Sequence, residues 1–140
     1  MKKIFISILN FNGLENTLEC LKSIGNIKKS DFELRIMLID NASAGDFHIN
    51  EDLKSSISIK IIKNKSNLGF SGGHNVGFRY ALENGADYIL LLNNDTIVDK
   101  FFLEKLVSGI ELNENTGIAV PKIYFAKGFE FHKDRYKKED

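Results

Sequence analysis

The sequence predicts an α/β fold, with a mostly parallel sheet flanked by helices. Three observations carry this. Five short apolar runs alternate with segments of helical spacing. Four of the runs are nearly continuous in apolar character, as strands covered on both faces are. The first four are each followed by a loop of Asn, Asp or Gly. Alternating strands and helices imply βαβ units with right-handed crossovers. Such sheets bind ligands at the carboxyl ends of their strands.

The elements follow in order. Ile4–Leu9 is the first strand. Leu14, Leu18, Leu21 and Ile24 then share one face of a helix. Asn12 and Glu15 have the spacing of a capping box, with Asn in place of Ser or Thr, and Gly25 is a stop. Leu34–Ile39 is the second strand. Ile57–Ile62 alternates at its start, which suggests a strand nearer an edge. A second helix is expected from about Gly73 to Asn84, with Val76, Tyr80 and Ala81 inward and Gly85 ending it. Tyr88–Leu92 is the fourth strand. A third helix, Lys100–Leu112, turns Phe102, Leu103, Leu106 and Ile110 inward. Gly117–Val120 is the fifth apolar run. Lys122–Ala126 and Phe129–Phe131, split by Lys127 and Gly128, read as a hairpin, and Lys133–Asp140 as a charged, frayed tail.

A chain of 140 residues, 43% of them hydrophobic, is long enough for one real core without staples. Lys plus Arg and Asp plus Glu are both 19, so the net charge is zero. That excludes a strongly basic nucleic-acid binder as the first reading. Cys20 is the only cysteine, which excludes an intramolecular disulfide and a cysteine-rich zinc site. It flanks the apolar face of the first helix and reads as a packing residue. His48, His74 and His132 show no metal-ligand spacing and read as surface or loop residues, His74 standing apart because it lies among glycines. The first apolar run is too short for a signal peptide, and no run approaches the ~20 residues of a membrane span. A cytoplasmic, soluble protein is expected.

The strand ends carry the candidate chemistry. Asp40 closes an apolar strand. An acid there accepts hydrogen bonds from a ribose or a base N–H, or it is a turn or cap residue. Gly69–Gly77 holds four glycines in nine residues around a helix start, where backbone can approach an anion closely. Neither standard phosphate-loop fingerprint occurs. Asn93-Asn94-Asp95 follows a deeply apolar strand. A carboxylate flanked by amide oxygens suits Mg²⁺ or Mn²⁺ shared with phosphates, or caps the next helix. Four such loops on one sheet edge favour a polar ligand.

Taken together the motifs resemble the family-two inverting glycosyltransferases of GT-A fold, in particular bacterial rhamnosyltransferase-type enzymes of surface polysaccharide synthesis. The resemblance rests on Ile8–Gly13, Leu38–Ser43, Asn67–Gly77, Leu91–Asp95 and Val120–Ile123, in the family's order through nearly the whole chain. It implies a Rossmann-like donor-binding half over residues 1–125, with 126–140 a hairpin and charged tail. It implies that Asp40 reads a pyrimidine base, that Asn10 and Asn12 line the base and ribose pocket, and that Asn67, Gly69, Gly73 and Asn75 shape the wall around the nucleotide. Asn93 and Asp95 stand at the first and last positions of the family's Asp-x-Asp motif. Asp95 is then the ligand of Mg²⁺ or Mn²⁺, while Asn93 binds a ribose hydroxyl without charge.

The implied donor is a UDP- or dTDP-sugar, and the acceptor a saccharide or lipid-linked saccharide. The implied reaction is a single displacement in which a base deprotonates the acceptor hydroxyl. No residue here matches the family's general base, so the chain reads as a truncated donor half, inactive alone and prone to homodimerise. In the full-length enzyme a peripheral position at the inner membrane face is implied. Two enzyme readings compete. A sugar-phosphate nucleotidyltransferase should carry a glycine-rich, Arg-containing loop after the first strand, where this chain has Asn10-Phe-Asn-Gly13. A dinucleotide oxidoreductase lacks its fingerprint. A non-catalytic nucleotide-binding fragment is the reading from a different class.

Overall fold

The computed structural model describes residues 1–28, 31–45, 47–50, 53 and 57–125. Its elements are β1 (Lys2–Asn10), α1 (Leu14–Gly25), β2 (Phe32–Asp40), β3 (Ile59–Lys63), α2 (Gly69–Glu83), β4 (Tyr88–Asn93) and α3 (Phe102–Glu111). The four strands form one parallel sheet in the order β3-β2-β1-β4. The chain divides into two compact units, Met1–Glu104 and Lys105–Asp140.

The continuous apolar strands have the expected cause. In β1, Ile6 and Ile8 join Leu21 and Ile24 of α1 and Ile36 and Leu38 of β2 on one face. Phe5 joins Met37, Ile39 and Ala81 of α2 on the other. Successive side chains point to opposite faces, so a strand covered on both must be apolar at every position. β3 is the edge strand that its early alternation suggests, and it is only half-buried. β4 pairs with β1 from Ile4↔Tyr88 to Leu9↔Asn93. β1 is therefore central, and β1 and β4 flank the place where the strand order reverses. In parallel sheets of this kind, ligands bind near such a reversal, at the carboxyl ends of the strands.

Several local expectations are corrected. Asn12 is not a helix cap. It lies outside α1 at φ 55°, and its Oδ1 accepts from the amide of Ala44 at 2.8 Å. The N-cap is Gly13, without a side-chain cap bond. A partner brought in by the fold has displaced the local one. α2 begins at Gly69, four residues before the expected Gly73, and turns Gly73, His74, Gly77 and Ala81 inward. The glycines lower helix propensity, which hid the first turn. Packing requires them, because a Cβ on Gly77 would sit 2.8 Å from Ser7 Oγ and 2.9 Å from Ile39 Cδ1.

The third correction is the fifth apolar run. In the second unit a turn at Asn113 accepts the amides of Asn115 and Thr116, and Gly117–Phe125 forms no strand. Ile118 and Val120 are exposed. A strand needs a neighbour to take up its backbone groups, and none is paired to this segment among the described residues. The expected hairpin is likewise absent over Lys122–Phe125. Its remainder, 126–131, and the charged tail with His132 lie outside the described residues. α3 is two residues shorter at its start than expected, because Asp99 takes up the amides of Phe101 and Phe102. Leu103 is its one fully buried residue among the described ones, while Phe102, Leu106 and Ile110 are half-buried. No helix of the described residues is long and apolar enough to cross a membrane.

Candidate functional site

The β1–β2 register places Asn10 opposite Asp40 at the carboxyl edge. Both are buried, Asn10 fully and Asp40 at 5% exposure. Asn10 uses all its hydrogen-bonding capacity. Its Oδ1 accepts from Thr17 Oγ1 at 2.9 Å and the Gly13 amide at 3.3 Å. Its Nδ2 donates to Ser43 Oγ at 2.9 Å and Asp40 Oδ1 at 3.3 Å. Asn10 thus braces this corner of the sheet edge. Asp40 Oδ1 also accepts from the hydroxyl and amide of Ser43. Its Oδ2 has no hydrogen-bond partner among the described residues, so one carboxylate oxygen is held and the other is open to a donor.

Beside this pair lies a small open cleft of ≈ 180 Å³, lined by Asn10, Asn12, Leu14, Ser43, Ala44 and Phe47. Its walls are part apolar and part amide and hydroxyl, which suits a flat heterocycle with polar edges. The loop after Asp40 is held in an unusual conformation, with Ala42 at φ 64°. For a residue with a Cβ this costs roughly 1–2 kcal/mol.

Asn41, which the sequence reading passed over, holds that loop to the start of α2. Its Nδ2 donates to Asn67 Oδ1 at 2.8 Å and the Gly69 carbonyl at 3.2 Å. Its Oδ1 accepts from Asn64 Nδ2 and the Leu68 amide. Asn67 Oδ1 also takes the Gly69 amide at 2.8 Å. Gly69 turns the chain into the helix at φ 70°, where a side chain is strained. Asn67 and Gly69 therefore fix the entry into α2 against the loop after β2. Gly73 has a different duty: a Cβ there would lie 2.4 Å from Leu9 Cδ1, so it lets α2 close on the sheet. Asn75 is exposed on α2.

Asn93, Asn94 and Asp95 end β4 on the same edge. Asn94 Nδ2 donates to Thr17 Oγ1 at 3.0 Å and the Gly13 carbonyl at 3.3 Å. The Asn93 carbonyl accepts from Thr96 Oγ1 at 2.7 Å, with Cys20 Sγ at 3.7 Å. Asn93 and Asp95 are exposed, and the Asp95 carboxylate has no hydrogen-bond or ion-pair partner among the described residues. No group of three His, Cys, Asp or Glu is clustered among them. A divalent ion at Asp95 would have to complete its shell with phosphate oxygens and water, which Mg²⁺ readily does.

Cys20 is buried. Desolvation pushes its thiol pKa up, the Thr96 hydrogen bonds oppose this, and the Asp95 charge adds a smaller upward push. That is the packing role expected of it. His74 is buried against the sheet, with Nδ1 2.9 Å from Ser7 Oγ and Nε2 without a partner. Burial pushes its pKa down. Thr17, Asn41, Ser43 and Asn94 were missed as bracing residues. The only sequence signal for Thr17 is a hydroxyl three residues from Leu14 on an otherwise apolar helix face.

A parallel sheet with a braced acid on one strand and polar loops at its carboxyl edge defines the α/β class whose ligands bind at that edge. Comparison narrows this. The chain belongs to Glycosyl transferase family 2, whose profile matches residues 5–139. It is similar to the dTDP-rhamnosyl transferase RfbF of Shigella flexneri, 30% identical over 86 residues, which are 61% of this chain and 28% of RfbF. Its fold matches TarS 1-349 of S. aureus in complex with UDP, at TM-score 0.70, 19% identity, 87% of this chain and 38% of that one. It also matches the mannosyltransferase PcManGT of Pyrobaculum calidifontis in complex with GDP-Man and Mn²⁺, at TM-score 0.55, 13% identity, 74% of this chain and 31% of that one. The sheet is of the GT-A type. The chain thus spans between about a quarter and two fifths of the length of these proteins.

Proposed function

We propose that this chain is the donor-binding part of a glycosyltransferase that uses a UDP- or dTDP-sugar. The observation that carries the reading is Asp40. One carboxylate oxygen is fixed by Asn10 and Ser43 while the other has no partner, beside a cleft of mixed polarity. Such an oxygen accepts the N–H of a pyrimidine ring. Asn12, whose Nδ2 makes no hydrogen bond among the described residues, lines the same cleft. The TarS–UDP complex and the dTDP-rhamnosyl transferase support a pyrimidine diphosphate.

Asp95 would hold Mg²⁺ or Mn²⁺, and Asn93 would offer its amide to a ribose hydroxyl. The exposed, unpartnered carboxylate of Asp95 supports this, as does the Mn²⁺ in the mannosyltransferase complex. When bound, such an ion stabilises the charge that develops on the leaving diphosphate. The chain's own contribution is to position base, ribose and diphosphate along one sheet edge. The acceptor, a saccharide or lipid-linked saccharide of a surface polysaccharide, is read by residues other than those braced here.

Residues 1–125 form the donor part in this reading. Homodimerisation belongs to it, supported by the exposed Ile118, Val120, Ile123, Tyr124 and Phe125. A monomer throughout a sedimentation series to high concentration overturns that element. The reading as a whole is tested by melting shifts with UDP, dTDP, GDP and UTP, each with and without Mn²⁺. Stabilisation by UDP or dTDP supports it. A response confined to UTP points to a nucleotidyltransferase, and no response to any of them overturns nucleotide binding.

A further inference from the structure

Four side chains form a continuous hydrogen-bonded chain from one strand end to another. Asp40 Oδ1 accepts from Asn10 Nδ2 at 3.3 Å, and Asn10 Oδ1 accepts from Thr17 Oγ1 at 2.9 Å. Thr17 Oγ1 in turn accepts from Asn94 Nδ2 at 3.0 Å. Thr17 is fully buried on α1 and does not line the cleft. Its hydroxyl both donates and accepts, so it can join the carbonyl of Asn10 to the amide of Asn94, which an apolar residue of the same shape cannot.

The bland account of such a threonine is a bond back to the preceding turn. The Gly13 carbonyl does lie 2.9 Å from Thr17 Oγ1 and shares its one proton with Asn10 Oδ1, but a back-bond leaves the contact from Asn94 unexplained. Two neighbours on α1 hold the same segment. Cys20 Sγ approaches the Asn93 carbonyl at 3.7 Å, and Ser23 Oγ accepts the Val98 amide at 3.1 Å. Thr17, Cys20 and Ser23 are three residues apart and form one row on the helix. Segment 93–98 is docked along that row. Among the described residues, Thr17 is the member of the row that also reaches the Asp40 network.

We propose that Thr17 is a positioning residue that couples the Asp40 end of the site to the Asn93–Asp95 turn. Its consequence for ligands rests on the reading of Asp40 and Asp95 proposed above, while the coupling itself is a property of the free protein. With the hydroxyl in place, ordering of one loop by a nucleotide base favours the geometry of the other.

The first test needs no ligand. Amide hydrogen exchange is followed at residues 10–13, 41–43 and 93–96 in wild type, Thr17→Val, Asn94→Ala and the double variant. Asn94→Ala is expected to speed exchange at 41–43 in the wild-type background and to add nothing in the Thr17→Val background. An Asn94→Ala effect confined to 93–96 overturns the coupling, and this readout survives if the double variant fails to fold. The second test measures the UDP dissociation constant with and without Mn²⁺. Thr17→Val should cut the gain from Mn²⁺ by roughly tenfold, the cost of one unsatisfied buried group, and Thr17→Ser should restore it. A purely structural role would lower melting temperature and leave that ratio unchanged, which overturns the proposal. If wild type binds no UDP under either condition, the functional reading fails and the exchange data alone decide the coupling.

Discussion

Ser7 of β1 and His74 of α2 meet inside the seam between sheet and helix, Oγ to Nδ1 at 2.9 Å. Both are buried, and His74 Nε2 has no partner. The rings of Phe70 and Phe78 flank the imidazole, their centroids at 4.7 and 6.1 Å. The imidazole is built into the core, where burial disfavours its charged form.

Its titration has a definite sign. Burial lowers the folded-state pKa below the ordinary 6.5, so the unfolded chain takes up the proton first as pH falls. The stabilisation is complete above about 6.5 and is lost as pH falls through the folded-state value. Urea unfolding between pH 7.5 and 5 should show stability falling, with a shallower slope in His74→Gln. Equal slopes would remove His74 as the cause.

Gly77→Ala should destabilise the fold by roughly 1–3 kcal/mol, since overpacking outweighs the helix propensity gained. The added Cβ would displace Ser7 Oγ and Ile39 Cδ1, both buried. Gly109, in α3 with nothing near its Cβ position, is the control. Gly109→Ala should be neutral or stabilising by chemical denaturation.

Asp40→Ala should weaken UDP or dTDP binding by about 1–3 kcal/mol by calorimetry, the cost of leaving a buried base donor unpaired. Asn10 and Ser43 also lose a partner, so stability is measured alongside. Full affinity in a folded variant would end the base-reading role.

Asp95→Ala should leave the fold intact, because its carboxylate is exposed. It should abolish any gain in UDP affinity from Mn²⁺ while leaving uridine binding unchanged. If chelator does not alter UDP affinity in wild type, the Asn93–Asp95 segment is a turn and no more.

Cys20 should react slowly with thiol reagents in the native protein and quickly in denaturant. It is 1% exposed, and burial raises its thiol pKa. Rapid native labelling would mean that the seam between α1 and Asn93–Thr96 opens easily.

The sequence by itself determined the parallel α/β class and the first four of its five expected strands, because continuous Ile and Leu runs suit strands covered on both faces. It also placed Asn10, Asp40, Asn93 and Asp95 on one edge, since residues that end parallel strands share that edge whatever the packing. What it could not decide were matters of distance between remote segments. The glycines of 69–77 read as a place where backbone approaches an anion, yet Gly73 and Gly77 answer to Leu9, Ser7 and Ile39, more than thirty residues away in sequence. Asn12 looked like a cap until Ala44 took its side chain. Gly117–Val120 has a strand's composition, but a strand exists only beside a partner. Thr17 and Asn41 are ordinary residues for their segments, and only the tertiary structure brings Asn94 and Asn67 within bonding distance of them. Apolar periodicity is written locally because burial acts residue by residue, whereas a hydrogen-bond network depends on which loops the sheet brings together.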